Sequence, residues 1–275
     1  MAACAAALFA LNLLFCYRLF GLDASPAIFS TDAIYISISH YVQGHWHDLS
    51  WWPIWYGGIP ASTVYPPLLH LLTAVLAAAG HISVGLAHHQ LSALGYVLGP
   101  VTLLLLVYRL SGSVATAVGA GLFYTMLSPA IWLLPWARVD INGIWRPFRL
   151  HILVGYGDAP HVFALMLLPL AIASLDGALT RRTWRSSFVA TLALAAVALT
   201  NWVGAVSLAG AVLAYLMASA RGWRRWLTAS GISLAAYLIS SPWLSPSSMA
   251  LVSLNSQIKS GGAVHLMEFA LLFAM

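Results

Sequence analysis

Long apolar segments with almost no charged residues constrain this chain more than any other feature of its sequence. Of the 275 residues, 61% are hydrophobic and 7% are charged, whereas soluble domains carry about 25% charged residues. Apolar runs of about 20 residues are long enough to cross the hydrocarbon core of a bilayer as helices. We therefore predict an all-α fold, a polytopic transmembrane helical bundle of about seven or eight spans.

The whole chain, residues 1–275, is predicted to form a single transmembrane domain. The predicted spans lie at about 3–20, 91–108, 114–134, 160–177, 187–200, 203–219 and 227–244. The first has no positively charged segment before it, so we expect a retained helix and not a secretory signal. Asn12 within it is predicted to form an interhelical hydrogen bond. A last apolar segment stops at Met275, so we expect a chain truncated at its C-terminus.

Basic residues give the predicted orientation. The net charge of +5 comes from short clusters between apolar runs, a pattern typical of topology signals. With Arg109, the 181–185 cluster and the 221–225 cluster in the cytoplasm, loops 22–90 and 135–159 face outward. This alternation requires that residues 66–80 do not fully cross, and about fourteen helical residues are short for a span.

The first outer loop carries Asp32 about a dozen residues after the first span, which is close enough to lie at the outer membrane surface. A carboxylate in that position can act as a general base or ligate a divalent cation. Alternatively, Asp32 caps the helix that the sequence AIYISISHYV predicts.

Histidines and tryptophans are also concentrated in the first outer loop. The segment His45-Trp46-His47-Asp48 offers alternating metal ligands, although this spacing in a loop is a weak zinc signal. Trp51, Trp52 and Trp55 are suited to stacking on sugar rings, and an interfacial aromatic belt explains them equally well. The other histidines are interpreted as interfacial.

The second outer loop adds three arginines and two carboxylates. Arg138, Arg146 and Arg149 are candidates for phosphate binding, because guanidinium groups match phosphate oxygens; contact with lipid headgroups is the alternative. Asp140 or Asp158 is expected to supply a second carboxylate facing Asp32. Asp158 also stands where an N-cap is expected, just before Pro160.

Several motifs resemble one superfamily. They are W-x-x-x-W-Y-G-G-I-P at 51–60, Y-P-P-L-L-H at 65–70 and V-Y-R-L-S-G at 107–112, followed by the second acidic loop. Over roughly residues 1–210 the chain resembles the GT-C membrane glycosyltransferases. Its greatest likeness is to bacterial membrane proteins related to 6-pyruvoyl-tetrahydropterin synthase. This resemblance implies that the segment after Pro66-Pro67 is a juxtamembrane helix.

The resemblance also implies an activity and its residues. Asp32 matches the first-loop carboxylate that serves as catalytic base or metal ligand, and Asp158 matches the acidic residue that opens the following span. A sugar donor linked to polyprenyl phosphate is implied. Asp158 or Asp140 is expected to assist catalysis, and Asp32 and Asp158 are the expected ligands for Mg or Mn. Substrate contacts are expected from Arg138, Arg146, Arg149, His161, Tyr65 and Trp55. One departure is that Ala33 follows Asp32, so the paired-acid form of the motif is absent.

Two other functional classes are compatible with the sequence. A transporter or flippase for a lipid-linked substrate is disfavoured, because few ionisable residues lie within the predicted spans. A catalytically inactive scaffold that binds lipid-linked glycans or partner helices is the third class. The family likeness places the expected protein in a bacterial inner membrane, with the lipid bilayer and the sugar donor as partners and no nucleic acid.

Overall fold

The computed structural model describes residues 1–24, 30–55, 57–128, 143–145, 147–219, 222–247 and 249–250. The chain is mostly helical, and it divides into two compact units. The first unit comprises Met1–Leu49 and Pro67–Ala173, and the second comprises Ser50–Pro66 and Ser174–Met275.

Helices of very different lengths build the first unit. They are α1 (Ala2–Cys16, continued by a 3-10 turn at Tyr17–Gly21), α2 (Asp32–Gly44), α3 (Leu68–Gly80), α4 (Val84–Ser111), α5 (Val114–Met126), α6 (Phe148–His151, followed by a π-helical turn at Ile152–Tyr156) and α7 (Ala159–Arg181) up to Ala173. Helix α4 packs against α1, α2, α3 and α5. It is therefore the element around which the first unit is organised.

In its described residues, the second unit contains the end of α7 and three further helices: α8 (Trp184–Ala198), α9 (Trp202–Ser219) and α10 (Trp223–Ser240). Helix α8 packs against both α9 and α10. A short antiparallel pair, β1 (Trp51–Trp52) and β2 (Ile59–Pro60), also belongs to this unit. The expected all-α fold is thus correct except for these two short strands.

Four helices in the described part of the chain are long and apolar enough to cross a membrane. They are Ala2–Gly21, Val84–Ser111, Ala159–Arg181 and Trp202–Ser219. This result supports a membrane protein, although the predicted count of seven or eight spans is not confirmed. Helices α3, α5 and α8 are apolar but shorter.

Several predicted boundaries differ from the structure. Helix α4 begins at Val84, seven residues before the predicted span at 91, because Ser83 caps it by accepting a hydrogen bond from the Leu86 N–H. Helix α5 ends at Met126, and the end of the predicted span 114–134 lies outside the described residues. The predicted break near Asn201 is confirmed, since α8 ends at Ala198 and α9 begins at Trp202.

A buried polar network crosses the first unit. The Asn12 amide donates to the Thr125 hydroxyl (3.0 Å), which confirms the predicted interhelical bond between α1 and α5. Arg149 is buried, and its two terminal nitrogens donate to Asn12 Oδ1 (2.8 Å) and to the Tyr96 carbonyl oxygen (2.6 Å). That carbonyl is available because Pro100, four residues later in α4, has no N–H to donate to it.

Candidate functional site

Asp32 lies at the start of α2 and is 5% exposed. Its Oδ2 is 2.8 Å from His89 Nε2, and its Oδ1 is 3.2 Å from His88 Nε2, at ion-pair distance but without hydrogen-bond alignment. Both histidines lie in the first two turns of α4. Thr31 occupies the N-cap position, so the alternative that Asp32 caps α2 is wrong.

One proton is shared between Asp32 and His89. The Leu22 carbonyl oxygen, 2.9 Å from His89 Nδ1, only accepts hydrogen bonds, so Nδ1 carries a proton. An ionised carboxylate also only accepts. The contact between His89 Nε2 and Asp32 Oδ2 therefore requires a second proton, held either by the imidazole or by the carboxyl group.

The charge state of Asp32 follows from its surroundings. Burial raises the pKa of its carboxyl group, but the adjacent His88 and His89 rings lower that pKa by more, so it lies well below the usual range. The shared proton accordingly resides on the His89 ring. The pair is an imidazolium bound to a carboxylate, and its two charges compensate each other.

The chain around Gly157 holds Asp32 in place. The Thr31 N–H and hydroxyl both donate to the Tyr156 carbonyl oxygen, at 2.8 and 3.0 Å. Gly157 adopts a φ of 71°, and a Cβ at that position would lie 2.7 Å from the Asp32 backbone nitrogen. The two segments that were predicted as outer loops are therefore in close contact, and only glycine fits between them.

This contact brings Asp158 to the same part of the first unit. Its Oδ1 accepts hydrogen bonds from the Tyr35 hydroxyl and from the His161 N–H, both at 3.4 Å. The second contact is the geometry expected of a helix N-cap, and Asp158 directly precedes α7. Asp158 thus has a structural role at the start of α7 and is also linked to α2 through Tyr35.

His70 extends the cluster along α3. Its Nδ1 lies 3.0 Å from the Ser39 hydroxyl, and its ring is 5.8 Å from that of Tyr35. Tyr35 also stacks on the His88 ring, with centroids 6.4 Å apart. Burial lowers the pKa of His70 to about 3, with a smaller contribution from His88. His70 is therefore neutral at physiological pH.

The residues around Asp32 do not match the donor set that Mg or Mn prefers. Those cations favour oxygen ligands, whereas both Asp32 carboxylate oxygens face imidazole nitrogens. Within the ranges that the structure describes, which include His45, His47 and Asp48, no group of three or more His, Cys, Asp or Glu side chains is placed to hold a metal ion. We therefore assign no chemical step to a cation.

The other predicted site residues have different locations. Arg138, Asp140 and Arg146 lie outside the described residues. Arg149 is directed into the bundle, where its guanidinium carbon lies 4.0 Å from the centroid of the Tyr96 ring. Its two terminal nitrogens donate to protein acceptors, so the structure gives it an anchoring role within the bundle.

Tyr65 and Trp55 belong to the second unit. The Tyr65 hydroxyl accepts a hydrogen bond from the Asn201 amide (2.7 Å), and its ring stacks on that of Trp202. Trp55 meets Trp52 edge to face, with ring centroids 6.0 Å apart. These contacts fix both side chains within their own unit.

Sequence reasoning identified Asp32 but missed its partners His88 and His89, and also Tyr35, which contacts Asp158 and stacks on His88. The histidines were assigned to the end of the first outer loop because the apolar run begins only at Leu91. The signal that was available is the His88-His89 pair immediately before a span, which places two imidazoles at one end of a membrane helix.

Comparison of the chain with protein family models, with curated proteins and with solved structures found no match.

Proposed function

We propose that this chain is a membrane glycosyltransferase of the GT-C type that uses a polyprenyl-phosphate-linked sugar and acts at the outer face of a bacterial inner membrane. The observation that carries the proposal is the buried carboxylate of Asp32, which is hydrogen-bonded to His89 and lies 3.2 Å from His88 Nε2, beside the segment that bears Asp158. Acid–base groups held in contact and shielded from water are typical of catalytic sites.

The length of α4 supports a site near the membrane surface. Its 28 residues extend about 42 Å, which exceeds the ~30 Å hydrocarbon core by about two turns. His88 and His89 lie in the first two turns, before the apolar run that starts at Leu91. Asp32 is therefore suited to receive a water-soluble or lipid-borne acceptor.

In the proposed reaction, the acceptor hydroxyl oxygen attacks the anomeric carbon of the donor sugar. The bond from that carbon to the phosphate oxygen breaks, and polyprenyl phosphate leaves with the electron pair. The hydroxyl proton passes to the cluster of Asp32, His88 and His89, where the low pKa of Asp32 favours its residence on an imidazole. Arg138 and Arg146 remain the predicted contacts for the leaving phosphate, with Asp140 as the further predicted carboxylate.

The proposal is tested with the purified chain in proteoliposomes that contain labelled polyprenyl-phosphate sugars. We expect Asp32→Asn to reduce sugar transfer at least about 100-fold, the usual contribution of a general acid–base group. The control Asp48→Asn changes an exposed carboxylate in the same region and should leave transfer unaltered. Equal transfer by the wild-type chain and Asp32→Asn would contradict the assignment.

A proton-coupled transporter is the second candidate, and the same cluster favours it. Buried ionisable residues at membrane helices often belong to proton pathways, and the Asp32–His89 pair holds a proton. Such a carrier would move a lipid-linked substrate into vesicles without any covalent product, and it would move protons with it. Acidification of the vesicle lumen that depends on substrate and on Asp32 would favour this candidate over sugar transfer.

A further inference from the structure

A cavity of about 160 Å³ lies within the second unit, where the end of α7 meets the start of α10. It is lined by Leu179, Arg182, Arg224, Arg225 and Thr228. Three of its five residues are arginines, and none of the proposed catalytic residues contributes to it. The cavity is thus a separate feature from the Asp32 cluster.

The arginines of α10 stand where a helix disfavours positive charge. Arg224 and Arg225 are in the first turn of α10, and the N-terminal end of a helix dipole is positive. The N-cap residue, Gly222, supplies no side-chain acceptor, and the first turn contains no acidic residue. Positive groups therefore adjoin one another there, and a bound anion would offset their repulsion.

In the parts of the chain for which the structure gives positions, no carboxylate lies within salt-bridge distance of Arg182, Arg224 or Arg225. The contacts that the structure does show are with uncharged groups. Arg225 donates to the Ser219 carbonyl oxygen (3.0 Å), and Arg224 lies 6.0 Å from the Trp223 ring centroid.

The surroundings of the cavity are those of a membrane interface. Trp184 and Trp223 are 74% and 68% exposed, and Leu227 is 59% exposed. Exposed tryptophans beside arginines are typical of the level of the lipid headgroups. Basic pockets between membrane helices bind the phosphate groups of anionic lipids.

We infer that this arginine-lined cavity binds a phosphate group, supplied either by an anionic lipid headgroup or by a soluble phosphate. Three guanidinium groups offer planar pairs of N–H donors that match phosphate oxygens. Leu179 forms an apolar wall, and the Thr228 hydroxyl donates to the Arg224 carbonyl oxygen (2.9 Å). The inference is independent of the proposed glycosyltransferase activity.

The test compares the thermal unfolding of the purified full chain in detergent on addition of phosphatidylglycerol, phosphatidylcholine or inorganic phosphate. We expect phosphatidylglycerol to raise the unfolding midpoint and phosphatidylcholine to leave it unchanged. In Arg182→Gln, Arg224→Gln and Arg225→Gln, the phosphatidylglycerol concentration needed for half of the shift should rise about five-fold per arginine removed.

Arg185→Gln is the matched control, because it removes one charge from the same basic region without touching the cavity. It should retain the wild-type response. An equal loss in Arg185→Gln would show general surface attraction and overturn the inference, as would a wild-type midpoint that no phosphate compound changes.

The source of the phosphate is read from the same titrations. A shift with inorganic phosphate that the three variants lose supports a soluble phosphate ligand, and a shift restricted to phosphatidylglycerol supports a lipid headgroup. If a glutamine variant does not fold, the corresponding lysine variant keeps the charge but not the paired donors. It should bind more weakly than wild type, and wild-type binding by all three lysine variants would contradict recognition by guanidinium groups.

Discussion

At the scale of single residues, Asp32 and His70 are both buried ionisable groups, but Asp32 keeps its charge and His70 does not. Asp32 remains ionised in a shielded site because the His89 imidazolium compensates its charge. Burial beside Ser39 and Tyr35 instead holds His70 neutral. Within the first unit, His89 is therefore charged and His70 is neutral.

His70 predicts a specific loss of stability in mild acid. Its pKa is about 3 when folded and 6.5 in its ordinary state, so the unfolded chain binds more protons between these values and stability falls as pH falls. Lowering the pH from 7 to 5 should reduce the free energy of unfolding by about 2 kcal/mol through this residue. We expect His70→Asn to unfold with a shallower pH dependence over this range, measured by thermal or denaturant unfolding in detergent.

The control for His70 is His47→Asn, which changes an exposed histidine. Its pH dependence should parallel that of the wild-type chain. If His70→Asn kept the full wild-type slope between pH 7 and 5, His70 would not be the buried neutral group that the structure shows.

At the scale of elements, the contact between α2 and the turn before α7 depends on a single glycine. Gly157→Ala combines a left-handed backbone with a collision, because its Cβ would lie 2.7 Å from the Asp32 nitrogen. Gly112→Ala is the matched control, since Gly112 has a similar φ of 67° and no atom within 4 Å of its added Cβ. The control should lose about 1 kcal/mol of unfolding free energy from backbone strain alone.

We expect Gly157→Ala to lose roughly 2 kcal/mol more than Gly112→Ala in chemical denaturation, and to lose transfer or transport activity because Asp32 is displaced. Equal losses of unfolding free energy in the two variants would indicate that backbone strain accounts for the whole effect of Gly157→Ala. In that case the α2 contact would not hold Asp32.

The elements also show which structural features can be predicted from the sequence. Apolar run length predicted α1, α4, α7 and α9, because lipid exposure imposes a simple requirement for helix and hydrophobicity. The side-chain contacts between the helices were not predictable in this way. Arg149 has an arginine's usual preference for phosphate. Its guanidinium group nevertheless binds the Tyr96 carbonyl oxygen, which Pro100 leaves free, and the side-chain oxygen of Asn12 in α1.

The candidate site shows the same limit. Asp32 was identified because a carboxylate is unusual in this composition, and its proximity to the Asp158 segment was expected from topology. His88 and His89 are 56 and 57 residues away in the sequence, and no spacing rule links such distant positions. Their role follows from the packing of α2 against α4, which depends on side-chain shapes along both helices.

At the scale of the whole molecule, the orientation of the chain depends on α5. Helix α5 has 13 residues, Val114–Met126, and about 20 Å of helix is shorter than the ~30 Å hydrocarbon core of a bilayer. If α4, α5 and α7 all cross, Asp48 and Arg185 lie on opposite sides of the membrane. If α5 does not cross, they lie on the same side.

We predict that they lie on opposite sides, because this arrangement places Arg109 and the 181–185 cluster together in the cytoplasm. The test uses a chain whose two cysteines, Cys4 and Cys16, are replaced by alanine, and single cysteines are then introduced as Asp48→Cys or Arg185→Cys. A maleimide that does not cross membranes should label Asp48→Cys in intact cells and Arg185→Cys only after the membrane is opened. Labelling of both positions in intact cells would contradict this orientation.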